Sequence, residues 1–540
     1  MLSRLRRKST YTPPDVKGVN FSSEHVGLSK SIARRRQIVE AVASRVPLLR
    51  LILAVIGIVW LLVLPHEGLW KDTYVDEHAL QPAQVTMYYD WADVHGADRY
   101  LDDLERLVNA TIREYAGQNR ALADRRRSTY IQTVFSSVGL STSNTSESTY
   151  GHVRPPRSAG TETILISANW VSREGTPNLR GVAMLLSLGE FLRGQNHWAF
   201  DFVLVVGEGY LEGLEGFMRE YHALFGGVIW TGLNIDYPGH SFSHIGLFYE
   251  GVNGRLPNQD LVNSVAHIAK WAGGVSTRLH NIDDSITELA PGWVGDSVGR
   301  YMLAAKHLWH HFTYAALGRA SGAHGVLARH RIDSVTLYCS PATGPHGFHT
   351  LGRTLESSLR SLNNLLERLH ASYFFYLLPR PGKFIPVGHY LPAAVVLGTS
   401  VTIGGFDCPS PLKGVLWFIP ALLLSGIAWL LQSPTVSIIA LVLPRPEGGS
   451  RQSLSALTHL FYGALIPTLA MVNFPQALLL AGVTIAYLAP SRWARLVLLG
   501  LHPSLLISLD LRREWETVGN LMWPGIFAVW LPLWTVSAML

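Results

Sequence analysis

The chain has 540 residues, enough for two or three domains, and 48% of them are hydrophobic, so the placement of apolar residues must decide between a soluble and a membrane protein. The net charge of +6 is thinly spread except for a basic cluster at one end (Arg4, Arg6, Arg7, Lys8, then Arg34, Arg35, Arg36 and Arg45), which suits the cytosolic flank of a membrane span; a nucleic-acid surface would gather its cations on a folded face. Two cysteines, Cys339 and Cys408, exclude a disulfide scaffold.

Residues 1–46 read as a cytosolic N-terminal segment. The run VPLLRLILAVIGIVWLLV, interrupted by Arg50, predicts a first transmembrane helix over 47–65, since a spanning helix needs about 20 apolar residues. The basic region ahead of it is too long for a signal peptide, and no small-residue cleavage site follows. Lysine and arginine on its N-terminal side put the next segment in the lumen.

Residues 66–372 have the composition of a lumenal α/β domain. Apolar β-rich runs (ETILISANW, FDFVLVV, GGVIWTGLNI, DSVTLYC) alternate with helical patterns such as RGVAMLLSLGEFLRG, which predicts a mixed, largely parallel sheet with helices on both faces. The polar stretch 141–160, STSNTSESTYGHVRPPRSAG, reads as a flexible loop. Asn109 and Asn144 head glycosylation sequons, in keeping with a lumenal position.

Residues 373–540 read as a bundle of about seven transmembrane helices, near 385–404, 412–430, 433–444, 454–472, 474–490, 493–508 and 519–539. This count leaves Arg445, Arg451, Arg492 and Arg495 on the cytosolic side and the LDLRREWE loop on the lumenal side, and it puts Cys339 and Cys408 on opposite sides of the membrane. Trp417, Trp429, Trp493, Trp515 and Trp523 fall near span ends, as interfacial anchors do. The spans carry few charges, which argues against an ion or proton pathway.

The strand WAFDFVLVV ends in Gly207 and Glu208. In two-zinc exopeptidases, which the lumenal pattern resembles, a similar strand ends in a catalytic base followed by a zinc ligand. Here the base position holds glycine. The earlier ligand positions of that frame fall on Asn169, with no histidine, and on Pro177 and Asn178, with no carboxylate. Glu208, Asp236 in GLNIDYPG and His349 (or His346) in GPHGFHTLGRTLE remain as a candidate single metal site. These ligands suit at most one divalent ion, zinc by preference, and two-metal hydrolysis is not expected.

Four strings, TYVDEHALQP, RGQNHWAFDFVLVVGEGYLEGLEGFMREYH, YEGVNGRLPNQDLVN and NNLLERLHASYFFYLLPRPGKFIPVGHYLPA, resemble the Gaa1 family of glycosylphosphatidylinositol (GPI) transamidase subunits, in its fungal form. The resemblance implies a peptidase-like lumenal domain in the endoplasmic reticulum membrane. It further implies a complex with a caspase-like catalytic subunit, which holds the cysteine nucleophile, and with the other transamidase subunits. Within it, this chain is expected to help recruit and present the GPI lipid and to assemble the machinery that joins it to a precursor protein. No catalytic residue of its own and no required cofactor follow. Tyr74 and Asp76, just past the first span, are candidates for the GPI head, although His78 stands where the family usually has Asn. GVNGRLPNQD reads as a tight turn capping the next helix, or as a partner-docking loop. Two other readings stay open: a membrane-tethered metallopeptidase-like enzyme, and a one-metal amide-forming role within the same complex.

Overall fold

The computed structural model describes residues 44–73, 87–115, 120–283, 295–365, 375–406, 408–488 and 500–540, together with Gln37, Ala41 and Leu369. Tyr74, Asp76 and most of segment 1–46 lie outside the described residues.

Helix α1 (Val46–Val63) starts with a proline in its first turn, where no backbone donor is lost, and buries only Gly57. A Cβ at that glycine would stand 2.7 Å from the Leu397 side chain, so glycine lets α1 approach helix α10 (Val387–Thr402) closely. Arg50, the charge inside the apolar run, donates from Nε to the Ser400 carbonyl (3.2 Å) and pairs with His459 Nε2 at 2.8 Å. A charge in a span is tolerated when neighbouring helices satisfy it in this way. Strand β1 (Lys71–Asp72) follows α1 and pairs with β11 (Lys383–Pro386), itself paired with β10 (Tyr376–Arg380); β11 runs directly into α10. This small sheet clips the exit of the first span to the entry of the second.

The main domain holds helices α2 (Trp91–Tyr115) and α3 (Arg120–Ser137) and strands β2 (Ser141–Asn144), β3 (Ser148–Val153) and β4 (Glu162–Asn169). They are followed by α4 (Leu179–Gly194), β5 (Asp201–Gly207), α5 (Glu212–Leu224), β6 (Val228–Asp236), β7 (Ser241–Phe248), α6 (Gln259–Ile268) and β8 (Thr277–Leu279). Helices α7 (Asp296–Ala316) and α8 (Gly325–Arg329), strand β9 (Asp333–Ala342) and helix α9 (Phe348–Asn363) complete it.

The eight-stranded sheet has the order β2-β3-β5-β4-β6-β9-β7-β8. Its four central strands, β5, β4, β6 and β9, are parallel, and β3 and β7 flank them antiparallel. Alternate residues of one strand serve opposite cores: Ile164 and Ile166 pack with α4 and α9, while Leu165 packs with Leu214 and Phe217 of α5. Burial on both faces is why these strands read as unbroken apolar runs. The mixed, largely parallel fold expected from the alternation is the fold observed.

Of the stretch 141–160 expected to be a flexible loop, residues 141–153 instead form a hairpin, β2–β3, with Thr149 opposite Val206 of β5, and 154–160 are loop. Ser148, Thr149 and Tyr150 are buried, so pairing with a central strand overrides a loop-like composition.

The C-terminal region contributes α10, α11 (Pro411–Leu430), α12 (Gly448–Ala470), α13 (Phe474–Tyr487), α14 (Leu511–Val518) and α15 (Met522–Met539), the last with a π-turn at Ile526–Trp530. Among the described residues five helices are long and apolar enough to cross a membrane: α1, α10 extended to Gly405, α11, α12 and α15. Helix α13 is apolar but has 14 residues. The segment expected to span near 433–444 is a 3₁₀ stretch, Pro434–Val442, bounded by Pro434 and Pro444. The described part of the segment near 493–508 likewise opens with Pro503 into 3₁₀ helix, Pro503–Leu509.

Three asparagines seat the α/β domain on the bundle. Asn253, at φ 64° in the GVNG turn, donates to the Gly519 carbonyl (3.2 Å) and accepts from Leu521 N–H (2.7 Å). Asn473, between α12 and α13, donates to the carbonyls of Ala315 (2.7 Å) and Asn253 (3.3 Å). Asn520 donates to the Leu317 carbonyl at 3.0 Å. The glycine-rich turn is therefore an internal dock, and the loops after α12 and α14 lie on the same side of the bundle as the domain. Ion pairs Arg319–Glu514 (2.8 Å) and Arg513–Glu212 (2.9 Å) flank the dock.

Candidate functional site

Parallel strands point their C-terminal ends toward one edge, where α/β proteins gather functional groups. The β5 end is closed to a catalytic base. A Cβ on Gly207 would meet Asn169 Oδ1 at 2.5 Å and the Gly213 backbone at 3.2 Å, because the first turn of α5 lies directly on the strand end. Glu208 turns aside, and its Oε2 accepts from Arg127 of α3 at 2.7 Å. Arg127 also pairs with Asp124 and lies over the Trp170 ring.

Asn178, where a bridging carboxylate was sought, is 1% exposed and works as a brace. Its Nδ2 donates to the carbonyls of Asn169 (2.9 Å) and Ile235 (3.1 Å), and its Oδ1 accepts from Tyr237 N–H (2.7 Å). One amide thus ties the ends of β4 and β6. A carboxylate has no hydrogen to give either carbonyl, so amide chemistry is required at this position.

Asp236 is buried at the end of β6, where its Oδ2 accepts from Arg173 N–H at 3.0 Å. Burial pushes its carboxyl up to about 6. The Arg173 guanidinium lies 3.8 Å from the Phe248 ring centre and donates to Tyr314 Oη (2.9 Å). His349, in the first turn of α9, stacks flat on Trp91 at 4.7 Å, and burial lowers its pKa. His346 is tied to Phe242 by two backbone hydrogen bonds of 3.1 Å.

Glu208, Asp236 and His349 therefore answer to three different neighbourhoods. Among the described residues no group of three or more His, Cys, Asp or Glu side chains is placed to hold a metal ion. Glu208, Asp236 and His349 do not fit the single ion expected from sequence. Asn109 on α2 and Asn144 on β2 are both exposed; Asn144 donates to Gln132 at 3.2 Å.

A second polar cluster, not anticipated from sequence, lies under the bundle. Glu250 is wholly buried, and its Oε1 accepts from His280 Nε2–H (2.6 Å) and His311 Nδ1–H (2.8 Å). An ionised carboxylate only accepts, so both imidazoles must turn N–H toward it. Burial alone would raise the Glu250 pKa, but the two histidines overcome this and hold it well below the usual carboxylate range. His280 and Asn281 both sit in the left-handed region, at φ 54° and 59°. Two such residues in succession mark a backbone fixed by its surroundings. The three members come from separate stretches of chain, two just past strand ends and His311 within α7, so no local spacing announces them; Glu250 itself sits in the YEGVNGR string.

His311 also lines a cavity of about 560 Å³ between the domain and the ends of α10, α12 and α13. Together these features define a class: a protein with membrane-crossing helices and a mixed α/β domain docked on one end of them. A family model described as "Gaa1-like, GPI transamidase component" matches residues 145–418, just over half of the chain, and the chain belongs to that family. It is 27% identical over 489 residues to the GPI transamidase component GAA1 of Saccharomyces cerevisiae, covering 82% of this chain and 75% of that one. It is 28% identical over 391 residues to gaa1 of Schizosaccharomyces pombe, covering 66% of this chain and 63% of that protein's length. Solved structures similar to it include the Legionella pneumophila LapA aminopeptidase (TM-score 0.36, 9% identity, 55% of this chain and 79% of that one). The Fimbriiglobus ruber glutaminyl cyclase is another (TM-score 0.33, 12% identity, 52% and 98%).

Proposed function

We propose that this chain is the GPI transamidase subunit that recruits the GPI lipid, presents its amine to a catalytic partner and helps hold the complex together, without performing the chemistry itself. The observation that carries this reading is the asparagine dock formed by Asn253, Asn473 and Asn520. It holds the α/β domain against the span ends. A lipid kept by its acyl chains beside those spans has its head group at the domain, and fixing two reactants in this way removes a large entropic part of a bimolecular barrier.

In this reading the membrane is that of the endoplasmic reticulum, the N-terminus is cytosolic and the α/β domain is lumenal. The nucleophile belongs to a caspase-like subunit, the acyl donor is a precursor protein, and no cofactor is needed. Tyr74 and Asp76 contact the GPI head; they follow β1 closely, and β1 is pinned to the span ends by β11. Asn109 and Asn144 carry N-linked sugars, for which their exposure leaves room. Affinity purification of the tagged chain in mild detergent should bring down a caspase-like protein. Recovery of the chain alone, active on aminoacyl substrates, would sink the reading.

A further inference from the structure

The junction cavity has two chemically different walls. Toward the bundle it is apolar but for Asn473, whose amide is engaged in the dock: Tyr390, Ala470, Met471, Val472 and Phe474 line it, with Met471 and Val472 54% and 73% exposed at the span end. Toward the domain its rim carries the exposed cations Arg255 and Arg331 and one half-buried acid, Asp333. The acid already accepts from Asn258 N–H at 3.1 Å. Arg255 is held in place by donating to the carbonyls of Ala328 (3.1 Å) and Arg329 (3.3 Å), two residues ahead of Arg331. His311, 2% exposed, gives the cavity a built polar group. Its Nδ1–H is committed to Glu250, which leaves Nε2 as the ring's second polar atom.

We propose that this cavity binds the phosphodiester head group of a membrane lipid: Arg255 and Arg331 take the phosphate, His311 Nε2 hydrogen-bonds a hydroxyl of the same head, and the chains leave past Met471 and Val472. The lining holds two guanidinium groups against one carboxylate, a balance that favours an anionic group, and guanidinium is suited to phosphate by its planar fork of donors. The volume matches a head group with its first methylenes. The apolar wall at a span end selects a lipid over free phosphate. The inference deepens the lipid-presenting reading above, and rests on it only in making the GPI lipid the expected source over bulk phospholipid.

The test uses the full chain in its detergent-purified complex. Bound lipid phosphate is quantified and identified by mass spectrometry for the wild type, for R255E/R331E, and for R512A, an exposed ion-pair variant outside the cavity. Loss of charge-assisted contacts to phosphate predicts roughly tenfold less bound lipid in R255E/R331E and no change in R512A. Equal retention in all three overturns the site. A photoreactive residue at Val472 should give a lipid adduct, and a peptide adduct from a partner subunit would overturn the proposal. Adducts of GPI support the expected source, whereas bulk phospholipid alone overturns that assignment while keeping the head-group site. GPI attachment is measured in parallel. Lipid lost with attachment intact contradicts presentation through this cavity, whereas lipid retained with attachment lost contradicts the cavity and leaves the presentation reading standing.

Discussion

Asn178 shows what a single side-chain amide does at the edge of the sheet. Its amide gives hydrogens to two strand-end carbonyls and accepts one N–H. Asn178→Asp introduces a carboxylate and leaves two buried carbonyls facing it unpaired, at a cost of about 2–4 kcal/mol from two lost donors. Thermal unfolding of the purified variant should therefore show a clear loss of stability, and zinc should not restore it. Asp236 makes the opposite case. Its carboxyl is raised to about 6 from an ordinary value of 3.8. A raised acid binds its proton more tightly in the folded state, so stability falls as pH climbs from about 4 through 6. Asp236→Asn keeps an acceptor for Arg173 N–H and removes the buried charge. We expect it to stabilise the protein at pH 7.5 by about 2–3 kcal/mol, following about 1.4 kcal/mol per pKa unit, with the gain shrinking as pH falls below 6. Melting curves of both proteins across that range check the sign.

Between elements, the dock joins loops that are far apart in the chain. Asn473→Ala with Asn520→Ala removes hydrogen bonds to Ala315, Asn253 and Leu317. With a net loss of about 1 kcal/mol per bond, the domain should loosen from the bundle before either unfolds. Limited proteolysis would detect this as faster cleavage near residues 318 and 519, whereas an unchanged digestion pattern would mean the ion pairs suffice. The elements also show what a sequence makes visible. Strands β4, β5, β6 and β9 were legible because burial on both faces writes them as apolar runs, and α1, α10, α11 and α12 because they are long and apolar. Hairpin β2–β3 was not, since its strand character comes from pairing with β5. The stretch Pro434–Val442 was legible as an apolar segment, but its 3₁₀ form, bounded by prolines, was not. The empty base position was legible as Gly207, but its cause, the helix turn packed on it, was not. The Glu250–His280–His311 cluster was invisible because only the fold brings the three together.

At the scale of the whole molecule, a mixed α/β domain stands on membrane helices, with an amide brace at Asn178, a Glu208 turned aside to Arg127 and a Gly207 closed over by a helix turn at its sheet edge. In the proposed reading the nucleophile comes from a partner subunit, and the contribution of this chain is position. The most direct measurement reconstitutes the complex in lipid with and without this chain and follows precursor cleavage and GPI attachment separately. The account predicts that attachment is lost without it while the caspase-like subunit still cleaves the precursor. Attachment at the full rate in its absence would contradict the account.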